Sequence, residues 1–223
     1  MVPVMTDDMR EGNILRVWVE PFEELPVDRA AFVGEIPDLN GLVSYSPFGY
    51  YIKRKLFIHN MGHAMCAYLG WPKGCAYIYE CVADTDIRAQ AHAAMREAAT
   101  ALHSEYDISL EELLDRYIED LLTRFGNRAL GDTVTRVGLD PLRKLGSNDR
   151  LTGAALYCTR QSVVPYNIVK GIVAGLRYDN PADEAAMEMQ SSINSEGIRE
   201  FLERHCGLSK GTVFFEMILS KLL

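Results

Sequence analysis

The sequence predicts a mainly α-helical domain preceded by a short β-containing leader. From Phe48 onward, apolar residues recur at helical spacing, and glycine, proline and capping residues separate the segments. Residues 1–47 lack this period and contain a segment that alternates as a strand does. The 223 residues are 48% apolar and 24% charged, which is the composition of a folded domain.

The leader, residues 1–47, is predicted to contain one strand over residues 15–20, which Pro21 would end. Residues 27–47 are expected to form turns and short extended pieces. Because an isolated strand does not form a stable sheet, the leader is expected to be the edge of a sheet in another domain. The alternative is that it pairs with a second copy of the chain and gives a homodimer.

The body, residues 48–223, is predicted to be a series of helices. The first ends before Gly70 and Pro72, and a third opens with a capping box formed by Ser109 and Glu112 and ends at Gly126. Asn180 and Pro181 are expected to cap the helix that follows them. In chain order the predicted helices cover residues 48–69, 84–104, 109–125, 150–160, 165–177 (containing Gly171-x-x-x-Gly175), 181–191, 195–206 and 209–222.

Charge and motif content exclude several classes of function. The net charge of −8 argues against a nucleic-acid partner or an anionic membrane surface. No apolar run approaches the ~20 residues of a membrane span, and no signal pattern opens the chain, so a soluble, cytoplasmic protein is expected. No G-x-G-x-x-G or G-x-x-x-x-G-K-[ST] occurs, which predicts no dinucleotide or phosphate loop in this chain. The five scattered cysteines are expected to be reduced.

The candidate catalytic residues are Lys55, Asn60 and His63, which lie within the first predicted helix. At about 100° per residue, Asn60 lies about 140° and His63 about 80° from Lys55, with His59 between them. These groups suit the oxidation of a secondary alcohol, because a desolvated lysine can act as a general base and a carboxamide can hold the oxygen. His63 would hold a neighbouring hydroxyl or the lysine.

Simpler interpretations of the same residues remain open. A lysine on a helix is commonly solvated, and a polar group inside a helix can be satisfied in the core. His59 and His63 have the spacing of a zinc pair, but no third ligand is evident, so no metal is expected.

A second cluster contains Arg136, Arg143, Lys144 and Arg150, which suit a phosphate or carboxylate ligand. The alternative is an exposed loop in which these cations pair with Asp132, Asp140 or Asp149. The residues alone do not decide which cation contacts an anion.

The spacing Lys55-x4-Asn60-x2-His63 resembles the signature of the mannitol dehydrogenase family of polyol-specific long-chain dehydrogenases. The likeness is strongest to the branch that acts on mannitol 1-phosphate, and it covers nearly the whole chain. The strings that carry it are RKLFIHNMGHAMCAYLG (residues 54–70), VTRVGLDPLRKLGSNDR (134–150), RVWVEPF (16–22) and LPVD (25–28).

The resemblance implies a helical C-terminal domain that supplies the catalytic lysine and the substrate contacts, with NAD bound by a separate Rossmann domain. Lys55 matches the family's general acid/base, Asn60 and His63 its oxygen-binding groups, and Arg136 and Lys144 its substrate-binding pair. The Rossmann half is absent from this sequence, so the leader is expected to be its remaining edge, and these residues alone are expected to lack turnover.

The function implied is NAD-dependent interconversion of D-mannitol 1-phosphate and fructose 6-phosphate, so the expected partners are a sugar or polyol phosphate and the Rossmann domain. The alternatives are a hexuronate reductase, a free-polyol dehydrogenase, or a stand-alone module that binds a sugar phosphate.

Overall fold

A computed structural model describes residues 5–19 and 24–222, and it confirms a mainly helical protein with a short β-containing leader. In the leader, helix α1 (Asp7–Arg10) is followed by strand β1 (Leu25–Asp28), a 3₁₀ turn (Arg29–Ala31) and strand β2 (Leu42–Tyr45). The two strands pair in parallel, with Leu25 opposite Leu42 and Asp28 opposite Tyr45.

The prediction of a strand over residues 15–20 is wrong for residues 15–19, which are the part that the structure describes. Residues 15–19 are irregular, and Glu20 and Pro21 lie outside the described residues. This segment has no strand to pair with among the described residues, and the side chains of Leu15 and Val17 are exposed. Trp18 instead donates its indole N–H to the carbonyl of Met9, at 3.0 Å.

The body begins with one continuous helical rod, which confirms the first predicted helix. It consists of α2 (Gly49–Lys53), a π-helical segment (Arg54–Asn60) and α3 (Met61–Gly70). The remaining elements follow in chain order: a 3₁₀ turn (Trp71–Lys73), α4 (Ile78–Ala83), α5 (Thr85–Tyr106), a second π-helical segment (Glu112–Ile118), α6 (Glu119–Phe125), a 3₁₀ turn (Arg128–Leu130), α7 (Val134–Gly138), α8 (Pro141–Lys144), α9 (Thr152–Arg160), α10 (Tyr166–Leu176), α11 (Glu184–Glu196), α12 (Ile198–Arg204) and α13 (Val213–Leu222).

The core forms where α3, α5 and α10 pack against one another. The Gly171-x-x-x-Gly175 pair lies at this contact: a Cβ at Gly171 would lie 3.1 Å from Met65 Cγ, and one at Gly175 would lie 3.3 Å from the Tyr68 ring. These two small residues therefore permit α10 to pack closely against α3.

The N-terminus of α11 differs from its prediction. The helix begins at Glu184, and the carboxylate of Asp183 accepts the N–H of Ala185 at 3.2 Å. The Asn180 side chain instead accepts the N–H of Ala182, so Asn180 and Pro181 form a turn before the helix. The aspartate displaces the expected cap because it is placed one turn later, next to the first helical residue.

All five cysteines are free, as expected, and four of them are buried. Burial raises the pKa of the Cys66 thiol to about 12. Among the described residues, no helix is both long and apolar enough to cross a bilayer.

Gly62 is a sensitive position for stability. In Gly62→Ala, the new Cβ would lie 2.6 Å from Met95 Sδ and 2.8 Å from Met95 Cγ, and Met95 is fully buried. Overpacking costs about 1–3 kcal/mol and outweighs the roughly 1 kcal/mol by which alanine favours a helix. We expect Gly62→Ala to lower the free energy of unfolding, measured by urea denaturation. In a Met95→Ala background, Gly62→Ala should no longer lower the free energy of unfolding. If Gly62→Ala alone were more stable than the wild type, the close contact between Gly62 and Met95 would be contradicted.

Candidate functional site

The polar residues of the rod lie in and just after its π-helical segment. Lys55 and Asn60 belong to that segment, and His63 lies in the first turn of α3. The α-helical angle predicted between Lys55 and Asn60 does not hold, because the hydrogen bonds of a π-helix join residues i and i+5. Residues five apart come closer to one face than in an α-helix, so Lys55 and Asn60 are nearer to alignment than expected.

Ion pairs and stacked rings hold the start of this segment. The ammonium of Lys53 lies 2.5 Å from a carboxylate oxygen of Glu105 at the end of α5, and the hydroxyl of Tyr157 donates to the same carboxylate at 2.5 Å. The Arg54 guanidinium stacks over the rings of Tyr51 and Tyr117, at 4.5 and 4.4 Å. Lys55 therefore follows two cations that are fixed by their neighbours.

Lys55 and Asn60 themselves remain available. Lys55 is exposed, Asn60 is half-buried, and neither side chain forms a hydrogen bond or ion pair with any described residue. The desolvation of Lys55 expected from the sequence is not provided by the described part of this chain.

His63 is held between an aromatic ring and a buried carboxylate. Its imidazole stacks on Phe125 with ring centroids 4.7 Å apart. Its Nε2 lies 3.4 Å from Oδ2 of Asp132, without the alignment of a hydrogen bond and with no other described partner. The Asp132 carboxylate also pairs with Arg136, one turn later.

Asp132 is 5% exposed, and its ionised form is stabilised by its partners. Burial by itself raises its pKa, but the interactions with His63 and Arg136 outweigh burial and hold the pKa below its usual range. The backbone around it is fixed as well: Ile78 N–H donates to the Asp132 carbonyl, and Val134 N–H to that of Ala76, both at 2.9 Å.

His59 lies behind this group as a neutral side chain. Its ring meets those of Phe125 and His63 edge-on, with centroids 5.6 and 6.4 Å away. Burial, reinforced by His63, Arg124 and Lys55, lowers its pKa to about 3. No group of three or more histidine, cysteine, aspartate or glutamate side chains in the described chain is arranged to hold a metal.

The arginines of the second cluster are paired with acids of the same segment, residues 132–150, which contains α7 and α8 and is therefore not the loop considered from the sequence. Arg136 pairs with Asp132, and Arg143 lies 2.7 Å from Asp140 and 3.3 Å from Asp149. Arg150 lies 2.8 Å from the same Asp149 carboxylate. The ion-pair alternative therefore describes these arginines in the chain as it stands.

Lys144 is the exception in this cluster. It is 4% exposed, and its ammonium forms no hydrogen bond or ion pair with any described residue. Burial, and then the charges of Arg150 and Arg143, lower its pKa to about 8. A partly desolvated cation without a partner is costly, so this ammonium could receive an anionic or hydroxylated ligand.

The structure thus brings His63 together with Arg136 through Asp132, which the sequence analysis considered only as an ion-pair partner. It also adds Phe125 and Arg54, which sequence reasoning did not select as site residues. Only the i, i+4 spacing of Asp132 and Arg136 could have indicated that pair from the sequence.

Lys144→Met should stabilise the chain near neutral pH. The unfolded lysine has its ordinary pKa of 10.5 and the folded one about 8. The unfolded state therefore binds more protons between these values, and wild-type stability gains from this residue as pH rises through that window. We expect the variant to be more stable by about 1–3 kcal/mol at pH 7, and the advantage to shrink by pH 10.5.

Urea denaturation of both proteins across pH 7–10.5 measures this difference. In the matched control, Lys210→Met, an exposed lysine is removed whose pKa is raised by hydrogen bonds to Glu200 and Glu203. That control should show no stabilisation at pH 7. If the stability advantage of Lys144→Met grew as pH rose from 7 to 10.5, the direction of the Lys144 pKa shift would be contradicted.

Comparison with known proteins places this chain in a family. Three curated relatives are named mannitol-1-phosphate 5-dehydrogenase: those of Bacillus pumilus, Bacillus licheniformis and Bacillus subtilis are 39%, 36% and 38% identical over 94%, 100% and 93% of this chain. The chain spans about half of their length, at 55%, 57% and 54% respectively.

A solved structure shares the fold. Pseudomonas fluorescens mannitol 2-dehydrogenase, in a ternary complex with NAD and D-mannitol, superposes with a TM-score of 0.63 at 18% identity. The match covers 82% of this chain and 38% of that one. Residues 48–222 match the profile of the mannitol dehydrogenase C-terminal domain, and the chain belongs to this family.

Proposed function

We propose that this chain supplies the catalytic and substrate-binding part of an NAD-dependent mannitol-1-phosphate 5-dehydrogenase, which interconverts D-mannitol 1-phosphate and fructose 6-phosphate. The observation that carries the proposal is that Lys55 and Asn60, on one π-helical segment, form no hydrogen bond with the described residues. The names of the three relatives support the phosphorylated substrate.

In this proposal Lys55 takes the proton of the hydroxyl that is oxidised and returns it in the reductive direction. Asn60 donates its amide hydrogens to the same oxygen, in the manner of an oxyanion hole. His63 binds a neighbouring hydroxyl. The accessibility of Lys55 supports a role at a surface that the bound substrate and cofactor would cover, since exclusion of water would then desolvate the ammonium.

The phosphate would bind at the second cluster. Lys144 is the candidate for direct contact because its side chain is 4% exposed and its ammonium has no ion-pair or hydrogen-bond partner among the described residues. Arg143 and Arg150 can exchange their present carboxylate partners for a phosphate, whose oxygens a guanidinium binds in the same forked geometry. Arg136 can contact the phosphate with the N–H groups that its pair with Asp132 leaves unused.

The residues of this chain do not fit a dinucleotide. No glycine-rich loop occurs in the sequence, and the strands in the described part form a two-stranded sheet. We infer that NAD, which accepts the hydride, binds a domain outside these 223 residues. We also infer that residues 1–47 adjoin that domain as a leader and that residues 48–223 form the helical domain.

A stand-alone module that binds a sugar phosphate is the second candidate, favoured by the missing glycine-rich loop. Calorimetry on this chain with fructose 6-phosphate, fructose and NADH separates the candidates. Binding of fructose 6-phosphate in preference to fructose supports a phosphate site under either candidate. Tight NADH binding would overturn the assignment of the cofactor to another domain, and no preference for the phosphorylated sugar would favour a free polyol or a hexuronate.

For catalysis we expect negligible turnover of fructose 6-phosphate and NADH by these 223 residues alone, since no cofactor is held near the substrate. A steady-state assay that follows NADH absorbance tests this. Turnover at ordinary enzyme rates, about 1–10³ s⁻¹, would refute it.

Asn60→Ala tests the proposed oxygen-binding group. In a polypeptide that contains this chain and a nucleotide-binding domain, kcat should fall by about 10²–10³, the cost of losing one donor to a developing oxyanion. Asn194→Ala, which removes a carboxamide from α11, serves as the matched control and should leave kcat unchanged. A near-normal rate for Asn60→Ala would remove Asn60 from the mechanism.

A further inference from the structure

The strongest feature outside the assigned residues is the buried carboxylate of Asp132. It lies between two side chains that the proposed function uses, with His63 Nε2 3.4 Å from one oxygen and Arg136 paired with the other. It is almost fully buried, whereas Arg136 is 52% exposed. A carboxylate buried at such a place is costly unless partners compensate its charge, and here the partners are His63 and Arg136.

The two nitrogens of His63 have different surroundings. Nε2 is buried and faces only the carboxylate. Nδ1 forms no hydrogen bond with any described residue. Stacking on Phe125 and the packing of α3 hold the plane of the ring, so the ring has little freedom to exchange the two nitrogens.

The charge on Asp132 decides which nitrogen carries the proton. An ionised carboxylate can only accept, so the neutral imidazole beside it is most stable with its proton on Nε2. Nδ1 then keeps its lone pair. The present separation of 3.4 Å is typical of catalytic contacts that shorten when a ligand closes the site.

We propose that Asp132 is a positioning residue that fixes His63 as the Nε2–H tautomer, so that Nδ1 accepts a hydrogen bond from a substrate hydroxyl. This rests on the proposed function. Through its second oxygen Asp132 also holds Arg136. One carboxylate therefore fixes the position of His63, which binds the hydroxyl, relative to Arg136, which belongs to the anion site.

The role predicts a specific effect of Asp132→Asn. Arg136 can only donate and would hold the asparagine oxygen, so the asparagine NH₂ would face Nε2 and donate to it, which moves the imidazole proton to Nδ1. In serine proteases, the equivalent exchange of aspartate for asparagine leaves the geometry intact and removes most activity through the wrong tautomer.

The test is ¹⁵N NMR of the 223-residue chain with labelled histidines, whose tautomer is read from the ring nitrogen shifts. The sequence has five histidines, and His63→Gln identifies the signal of His63. We expect the Nε2–H form in the wild type and a shift to Nδ1–H in Asp132→Asn. The control, Asp120→Asn, removes a more exposed acid that forms an i, i+4 pair with Arg124 and should leave the His63 signal unchanged.

An Nδ1–H tautomer in the wild type, or an unchanged tautomer in Asp132→Asn, would overturn the inference. Urea denaturation of each variant verifies that the chain is folded. If Asp132→Asn does not fold, the wild-type spectrum still tests the inference, because an Nδ1–H form there would overturn it.

Calorimetry with fructose 6-phosphate on the same proteins tests the proposed function separately. If the wild type binds the sugar phosphate, Asp132→Asn should weaken binding by about 10–100-fold, by analogy with the loss of outer residues that orient metal-binding histidines. Unaltered affinity in a variant whose tautomer has changed would overturn the role of Nδ1. A tautomer change without any wild-type binding would leave the orientation by Asp132 established and the proposed function refuted.

Discussion

The packing of the Gly49–Gly70 rod against α5 and α10 is the constraint on which the site depends. Gly62, Gly171 and Gly175 let these helices approach so closely that side chains of Met95, Met65 and Tyr68 fill the space where a Cβ would be. Close packing fixes the rotation of the rod about its axis, since a turned helix would bury its polar face. Lys55 and Asn60 thereby remain outside the core, with His63 at its margin.

The polar groups of the site differ in how their burial is compensated. Asp132 is buried with two partners, whereas Lys144 is buried with none among the described residues. The first arrangement favours a single orientation of His63, and the second stores an unfavourable charge that an incoming ligand can relieve. Both arrangements are consistent with the proposed binding site, since binding sites commonly give up some stability to prepare the groups that meet the ligand.

Much of the fold followed from local patterns, and the failures have physical causes. The helical period of residues 48–69 predicted a real helix, but not the wider turn at Arg54–Asn60, because π-helical hydrogen bonding leaves no mark in apolar spacing. The alternation of residues 15–19 suggested a strand, yet no partner strand is described there, since strands depend on pairing that the local sequence does not contain. Likewise Asp183 caps α11, although Asn180-Pro181 is a typical helix-start sequence.

By itself, the sequence determined the helical class, the lack of a dinucleotide loop, and the polar residues Lys55, Asn60 and His63 on one rod. It did not decide which cations of residues 136–150 are neutralised, since that depends on where Asp132, Asp140 and Asp149 lie in space. The tertiary structure decided that each arginine has a carboxylate while Lys144 has none in the described chain. It also decided that His63 faces Asp132, because the contact joins residues 69 positions apart that only helix packing brings together.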